Sequence, residues 1–164
     1  SQEEDLNLYK GIFHKSTHMI QHPGGHLPSQ AVSFWFNESL EGYMGNLVPT
    51  RSSLKIEPSA QQKNVEQWLA KGTFPSLSNY FKLNNQHQSQ WPFTRDISES
   101  LIHYFMEATA GRKFIAELLE AVYKGEDLVP VLDRTYPGGM EALQTGWETW
   151  LRQPRKNHRW TMLR

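Results

Sequence analysis

The sequence contains no cysteine, which excludes disulfide bonds and thiol chemistry but leaves the redox compartment open. It also lacks a net charge, because 17 Lys and Arg residues balance 17 Asp and Glu residues. A neutral chain has a weak average field, which argues against a nucleic-acid partner. No apolar run approaches the ~20 residues that a membrane-spanning helix needs. We therefore expect a folded domain with no membrane span in this chain.

The length of 164 residues suits a single domain, since domains usually hold roughly 100–200 residues. The charges, however, are unevenly distributed, because no acidic residue follows Glu148. We predict one domain over residues 1–151 and a basic tail over residues 152–164. The tail is interpreted either as a solvated, poorly ordered end or as a docking segment for an acidic surface, anchored by Trp160. Its basic residues are Arg152, Arg155, Lys156, Arg159 and Arg164.

Apolar side chains recur at intervals of three and four residues, which predicts helices and an all-α fold class. Pro130 is expected to interrupt the sixth helix, and a minor β fragment is expected near residues 46–56. The tryptophans are expected to build the core, while Trp91 and Trp160 are the better candidates for partner contacts. The predicted helices run from Leu6 to Gln21, from Pro28–Ser29 to Gly45, from Ser59 to Lys71, from Thr94 towards Gly111, from Arg112 to Lys124, from Asp127 to Tyr136 and, after Gly139, from Met140 to Leu151.

His14 and His18 lie four residues apart on the first predicted helix, so both imidazoles share one helix face. Such a pair is more often a surface or hydrogen-bonded pair. Glu38, however, follows on the next helix, twenty residues after His18. Two imidazoles and one carboxylate that leave the fourth position open are the ligand set of a catalytic zinc ion. The candidate metal ligands are therefore His14, His18 and Glu38.

Two motifs carry a resemblance to a known family. Residues 14–18, HKSTH, resemble the H-E-x-x-H zinc motif, and residues 35–40, WFNESL, resemble the W-x-x-E-G-L motif that supplies the third ligand in gluzincin metallopeptidases. Later segments are similar to the following helices of small peptidase-MA-like domains of unknown function. The resemblance extends from Leu6 to Leu151 and implies a compact helical half of a gluzincin catalytic domain. Those later segments are residues 100–105, 111–114 and 143–151.

Lys15 departs from the family at the position that matters most for catalysis. The resemblance places there a Glu that takes a proton from zinc-bound water. A charged ammonium has only donors, so Lys15 cannot accept that proton. At ~4 Å and an effective dielectric of about 20, one like-charge pair costs roughly 4 kcal/mol, unless the flexible lysine stem turns away from the metal. Peptide hydrolysis by the family mechanism is therefore not expected. Ser39, where the family has Gly, is a minor departure.

Further residues are candidates for the surroundings of this site. The resemblance suggests His103 as an oxyanion stabiliser, against the alternative of a packed or hydrogen-bonded histidine. Glu41 and Tyr43 are expected to line the site, although a solvated face is the equal alternative for Glu41. His22 and His26 flank a Gly-Gly turn and are interpreted as turn residues, with accessory metal ligation as the alternative.

Three hypotheses follow. The first is a degenerate peptidase-like domain that retains a zinc site or a cleft for a peptide or protein partner. The second is an active zinc hydrolase, in which another carboxylate such as Glu41 is the base or Lys15 is an engineered replacement for a natural Glu. The third is a metal-free helical module, in which the Lys15 ammonium pairs with Glu38. Oligomeric state and compartment stay open, and one interpretation is a fragment of a larger exported protein.

Overall fold

A computed structural model describes residues 34–49, 51, 53–56, 60–74, 76–81, 94–107, 109–153 and 159–161. These residues form seven helices and one small sheet, which confirms the predicted all-α class. None of the described helices is long and apolar enough to cross a membrane. The helices are α1 (Phe34–Gly45), α2 (Ala60–Ala70), α3 (Leu77–Phe81), α4 (Thr94–Glu107), α5 (Thr109–Tyr123), α6 (Leu128–Thr135) and α7 (Gly139–Leu151), and the strands are β1 (Leu47–Pro49), β2 (Ser53–Ile56) and β3 (Arg159–Thr161).

The C-terminus of α5 shows why several predicted helix ends are correct. Gly125 adopts a left-handed conformation with φ of 70°, which glycine reaches without steric cost. Its N–H donates to the carbonyl of Val122 at 3.0 Å, and the N–H of Glu126 donates to the carbonyl of Ala121 at 2.9 Å. These bonds satisfy carbonyls that the end of the helix would otherwise leave unpaired. A local signal therefore ended this helix as predicted.

Two of the helix predictions are wrong. Pro130 does not interrupt α6 but lies in its first turn, where the missing N–H has no intrahelical partner in any case. The N-cap is Asp127, whose carboxylate accepts from the N–H of Val129 at 3.0 Å. In addition, α5 begins at Thr109 and contains Gly111, which was expected to lie between two helices. One glycine costs a helix only about 1 kcal/mol, and α5 packs on both α4 and α6.

The small sheet has the order β1-β2-β3, with both pairs antiparallel. The hairpin of β1 and β2 confirms the predicted β fragment, with Leu47 opposite Ile56. Strand β3 comes from the basic tail and places Trp160 opposite Leu54. Residues 159–161 of the tail thus pair with β2, while the interpretation of the tail as a whole stays a prediction. Local sequence signals do not reveal this pairing, because its partner strand lies so far away along the chain.

Helix α4 is the centre of the described fold, because it packs against α1, α2, α5 and α7. Every residue from 96 to 103 is buried, so the helix has no solvent-facing side over this stretch. Its apolar residues join a core in which Trp35 and Trp147 are also fully buried, while Trp68 and Trp150 are partly buried. The predicted core role of these four tryptophans is confirmed. Trp91 lies outside the described residues.

The polar residues of α4 bind partners on several surrounding elements. Ser98 shares a hydrogen bond with the hydroxyl of Tyr80 on α3. Ser100 accepts from the indole N–H of Trp147 on α7 at 3.2 Å. Asp96 accepts from Asn64 on α2 at 3.1 Å. Because a buried polar group costs free energy unless it is hydrogen-bonded, these contacts specify which neighbour faces which side of α4.

Candidate functional site at the α1–α4 interface

The predicted metal ligands are only partly within the described residues. His14, Lys15 and His18 lie outside them, as do His22 and His26. The backbone of Glu38 lies in α1 as predicted, but its side chain is not described. The convergence of two imidazoles and one carboxylate therefore stays a prediction. Among the residues that the structure describes, no group of three or more His, Cys, Asp or Glu side chains is arranged to hold a metal ion.

Helix α1 buries its second half, which carries two of the residues predicted to surround the site. Glu41 and Tyr43 are each only 2% exposed. The solvated-face alternative for Glu41 is therefore wrong. Ser39 is also fully buried, and its hydroxyl donates to the carbonyls of Trp35 and Phe36 one turn earlier. A serine at position 39 is thus compatible with the helix, although the gluzincin motif that this segment resembles has Gly there.

Glu99 is a buried carboxylate on α4 that faces the end of α1. Its Oε1 atom accepts a hydrogen bond of 2.7 Å from the side-chain amide of Asn46, the residue that follows α1. The same amide donates to the carbonyl of Gly42 at 3.0 Å, so Asn46 also satisfies the last turn of α1. A hydrogen bond to an ionised acceptor is about twice as strong as a neutral one. Asn46 therefore ties the end of α1 to the middle of α4.

Gly42 makes room for the Glu99 carboxylate. A Cβ atom at position 42 would lie 2.9 Å from Oε2 and 3.4 Å from Cδ of Glu99. Real Cβ atoms essentially never lie within 3.0 Å of another heavy atom. A side chain at position 42 would therefore require the Glu99 carboxylate to shift from its observed position.

His103 lies one turn after Glu99 on α4 and is 5% exposed. Its ring packs edge-on against that of Tyr43, with centroids 4.7 Å apart and an interplanar angle of 69°. Its Nε2 atom lies 3.8 Å from Glu99 Oε1, which is beyond hydrogen-bond distance. Among the described residues this buried nitrogen has no hydrogen-bond partner. The ring of His103 is therefore packed, as the alternative interpretation expected. The role of its Nε2 atom as an oxyanion stabiliser stays a prediction.

The negative charge of Glu99 affects the pKa of Asp96, which lies one turn earlier on the same helix. Burial raises the pKa of the Asp96 carboxyl above its ordinary value, and the hydrogen bond from Asn64 opposes that shift. The negative charge of Glu99 raises the pKa of Asp96 further, and Arg95 lowers it. Two carboxyl groups therefore interact within the buried part of α4, which gives this helix an acidic side.

Sequence reasoning missed Gly42, Asn46 and Glu99. The signal for Glu99 was a run of three polar residues, Ser98 to Ser100, between the apolar residues Ile97 and Leu101. Such a run on a helix buried all round requires hydrogen-bond partners. Nothing local indicated that Asn46 would supply one.

No protein-family model, no curated protein and no solved structure gives a significant match to this chain.

Proposed function

We propose that this chain is a gluzincin-like metallopeptidase domain that has lost hydrolysis and keeps a zinc site or a cleft for a peptide or protein partner. The observation that carries the proposal is the succession of two motifs, residues 14–18 and residues 35–40. The second of them lies on α1, a helix that packs closely along α4. A ligand on such a helix has a fixed backbone, which is what a metal site requires of its protein ligands.

The donor set fits zinc better than other common cations. Two neutral imidazoles with one carboxylate and an open position suit tetrahedral zinc, whereas calcium and magnesium take oxygen ligands. Glu41 on α1 and Glu99 on α4 are each only 2% exposed, so α1 and α4 carry buried carboxyl groups close to the residue that would supply the third ligand. His14, His18 and Glu38 would hold the ion.

Loss of hydrolysis follows from Lys15. Zinc at this site would activate water for hydrolysis, and the chain would still have to supply a base that accepts the proton. The lysine ammonium has no free lone pair while it is charged. Glu41 is the substitute base in the alternative of an active hydrolase, and its burial alone does not distinguish the two hypotheses. Substitution of Lys15 does distinguish them.

The metal-free module is a second candidate, because residue 15 of the motif is Lys15, whose ammonium is itself a cation. The Lys15 ammonium would then supply the positive charge that we otherwise assign to zinc, and it would pair with Glu38. Both candidates use the same face of α1. They differ in whether zinc is present.

Elemental analysis of purified protein after zinc loading and dialysis tests the metal site. We expect stoichiometric zinc in the wild type and a loss of zinc in the His14→Ala and His18→Ala variants. His158→Ala, which removes a histidine from the basic tail, is the matched control and retains zinc. A wild type without zinc contradicts the metal site and favours the metal-free module.

Hydrolysis of peptide substrates tests the role of Lys15. We expect no turnover by the wild type and chelator-sensitive turnover by the Lys15→Glu variant. Lys15→Gln removes the same charge without adding a base, so it stays inactive. Chelator-sensitive turnover by the wild type would instead support an active hydrolase with another base.

A further inference from the structure

Glu99 is a buried carboxylate that the proposed site does not yet use. Position 38 on α1 lies one turn before Gly42, and positions four apart share a helix face. Glu99 comes so near to Gly42 that a Cβ atom there would lie 2.9 Å from its Oε2 atom. This contact between α1 and α4 is therefore made one turn from the position that would supply the third metal ligand.

We propose that Glu99, anchored by Asn46, is a positioning residue for the metal ligand Glu38, an inference that rests on the proposed function. Through these contacts it sets how closely α1 approaches α4 and how α1 is rotated about its axis. Both quantities decide where the backbone of position 38 lies. Glu99 itself is not a metal ligand in this proposal.

The contacts of Glu99 restrain α1 at two points. Its Oε2 atom abuts the backbone at Gly42, which limits how near the two helices come. Its Oε1 atom accepts from Asn46 at 2.7 Å, which prevents the end of α1 from moving away. Asn46 in turn donates to the carbonyl of Gly42, so both contacts act on the same last turn.

The environment makes these restraints stiff. Glu99 is 2% exposed, so its carboxylate has no water to replace a lost donor. Ring packing of Tyr43 on His103 adds a third contact between α1 and α4, one turn further along α4 than Glu99. Residues that hydrogen-bond directly to a metal ligand change metal affinity by about 10–100-fold when they are substituted, and we take the lower end of that range for a restraint on the ligand's helix.

Zinc affinity of purified variants of this chain, measured by competition with a chromogenic chelator, tests the proposal. We expect Asn46→Ala and Glu99→Ala each to weaken zinc binding at least about tenfold. Glu99→Gln keeps an oxygen that accepts from Asn46 and should restore affinity to within a few-fold of the wild type.

Val131→Ala is the matched control, because it removes volume from a buried site on α6 and leaves the α1–α4 contact unchanged. It lowers stability without changing zinc affinity. The visible absorption of the cobalt-substituted protein is the second readout, because its bands report ligand geometry. We expect shifted bands in Asn46→Ala and wild-type bands in Val131→Ala.

Should Glu99→Ala prove unfolded, Asn46→Ala still decides the question, since it leaves the carboxylate in place. Zinc binding by Asn46→Ala with wild-type affinity and unshifted cobalt bands overturns the positioning role alone. A wild type that binds no zinc overturns the proposed function, and the positioning role with it. Equal weakening in Val131→Ala and Asn46→Ala also overturns the positioning role, because loss of stability then explains the effect.

Discussion

Gly42 on α1 lies so close to Glu99 on α4 that a methyl group at position 42 would be 2.9 Å from the Glu99 carboxylate. The carboxylate has little freedom to move away, since it is buried and accepts a hydrogen bond from Asn46. The helix that carries the predicted third metal ligand is therefore held by a contact that a larger residue at position 42 would disturb.

Gly42→Ala should lower the free energy of unfolding by about 1–3 kcal/mol, because the added methyl group overpacks the α1–α4 contact. In a Glu99→Ala background the same substitution should be neutral or stabilising by up to about 1 kcal/mol, because alanine has the higher helix propensity. Urea unfolding of the four proteins measures this reversal. Equal destabilisation by Gly42→Ala in both backgrounds would show that Glu99 is not the obstacle.

Stability should fall in alkaline solution because of Tyr80. Burial raises the pKa of the Tyr80 hydroxyl above its ordinary value of about 10, and the hydrogen bond with Ser98 opposes this only partly. The folded state therefore keeps its proton where the unfolded state has lost it, so stability declines as the pH rises above about 10. In Tyr80→Phe, thermal unfolding at alkaline pH should show a shallower decline than in the wild type.

The control for this titration is Tyr123→Phe, because Tyr123 is 52% exposed. It should leave the alkaline slope of the wild type unchanged. A Tyr80→Phe protein with the full wild-type slope would assign the alkaline loss of stability to other groups.

Asp96 should make the protein lose stability between acidic and neutral pH. Burial raises the pKa of the Asp96 carboxyl, so the folded state holds its proton at pH values where the unfolded state, with a pKa of about 3.9, releases it. This contribution is complete in acid and is lost as the pH rises through the folded pKa. The free energy of unfolding of Asp96→Asn, relative to that of the wild type, should therefore be higher at neutral pH than at acidic pH.

Glu141→Gln provides the comparison for Asp96→Asn, since Glu141 is also an acidic residue in the first turn of a helix but is exposed. Denaturant unfolding of Glu141→Gln at several pH values should show no comparable gain in relative stability at neutral pH. An Asp96→Asn variant whose stability relative to the wild type does not vary with pH would contradict the effect of burial.

Gly146→Ala should destabilise α7 by about 1–3 kcal/mol, because its methyl group would collide with the hydroxyl of Tyr104 and lie 3.2 Å from that of Tyr136. These hydroxyls share a hydrogen bond of 2.6 Å that keeps them in place. Tyr104→Phe removes the nearer hydroxyl, so the double variant should recover part of the loss. A double-mutant cycle by urea unfolding measures the coupling, and a coupling near zero would refute the steric explanation.

Much of the helical organisation was predictable, because it depends on neighbours in sequence. Apolar periodicity indicated α1, α2, α4, α5 and α7, and Gly125 marks the end of α5 by its own conformational freedom. Pro130 was misread because its effect depends on its position within the helix, and only one turn separates a harmless proline from a disruptive one. Strand β3 was missed because its pairing with β2 is long-range.

For the candidate site, the sequence indicated residue types and spacing but not surroundings. It placed Glu38 on a helix and identified Glu41, Tyr43 and His103 as neighbours of interest, and all three are buried. It did not identify Glu99, because a glutamate on an apparently amphipathic helix is ordinarily solvated.

By itself, then, the sequence determined the helical class, most helix ends and the departure at Lys15 from the motif it resembles, since each depends on residue identity and short-range geometry. Only the tertiary structure decided that α4 is enclosed by α1, α2, α5 and α7. Enclosure buries Glu99 and His103 and makes a partner such as Asn46 necessary, because a polar group removed from water must find its hydrogen bonds within the protein.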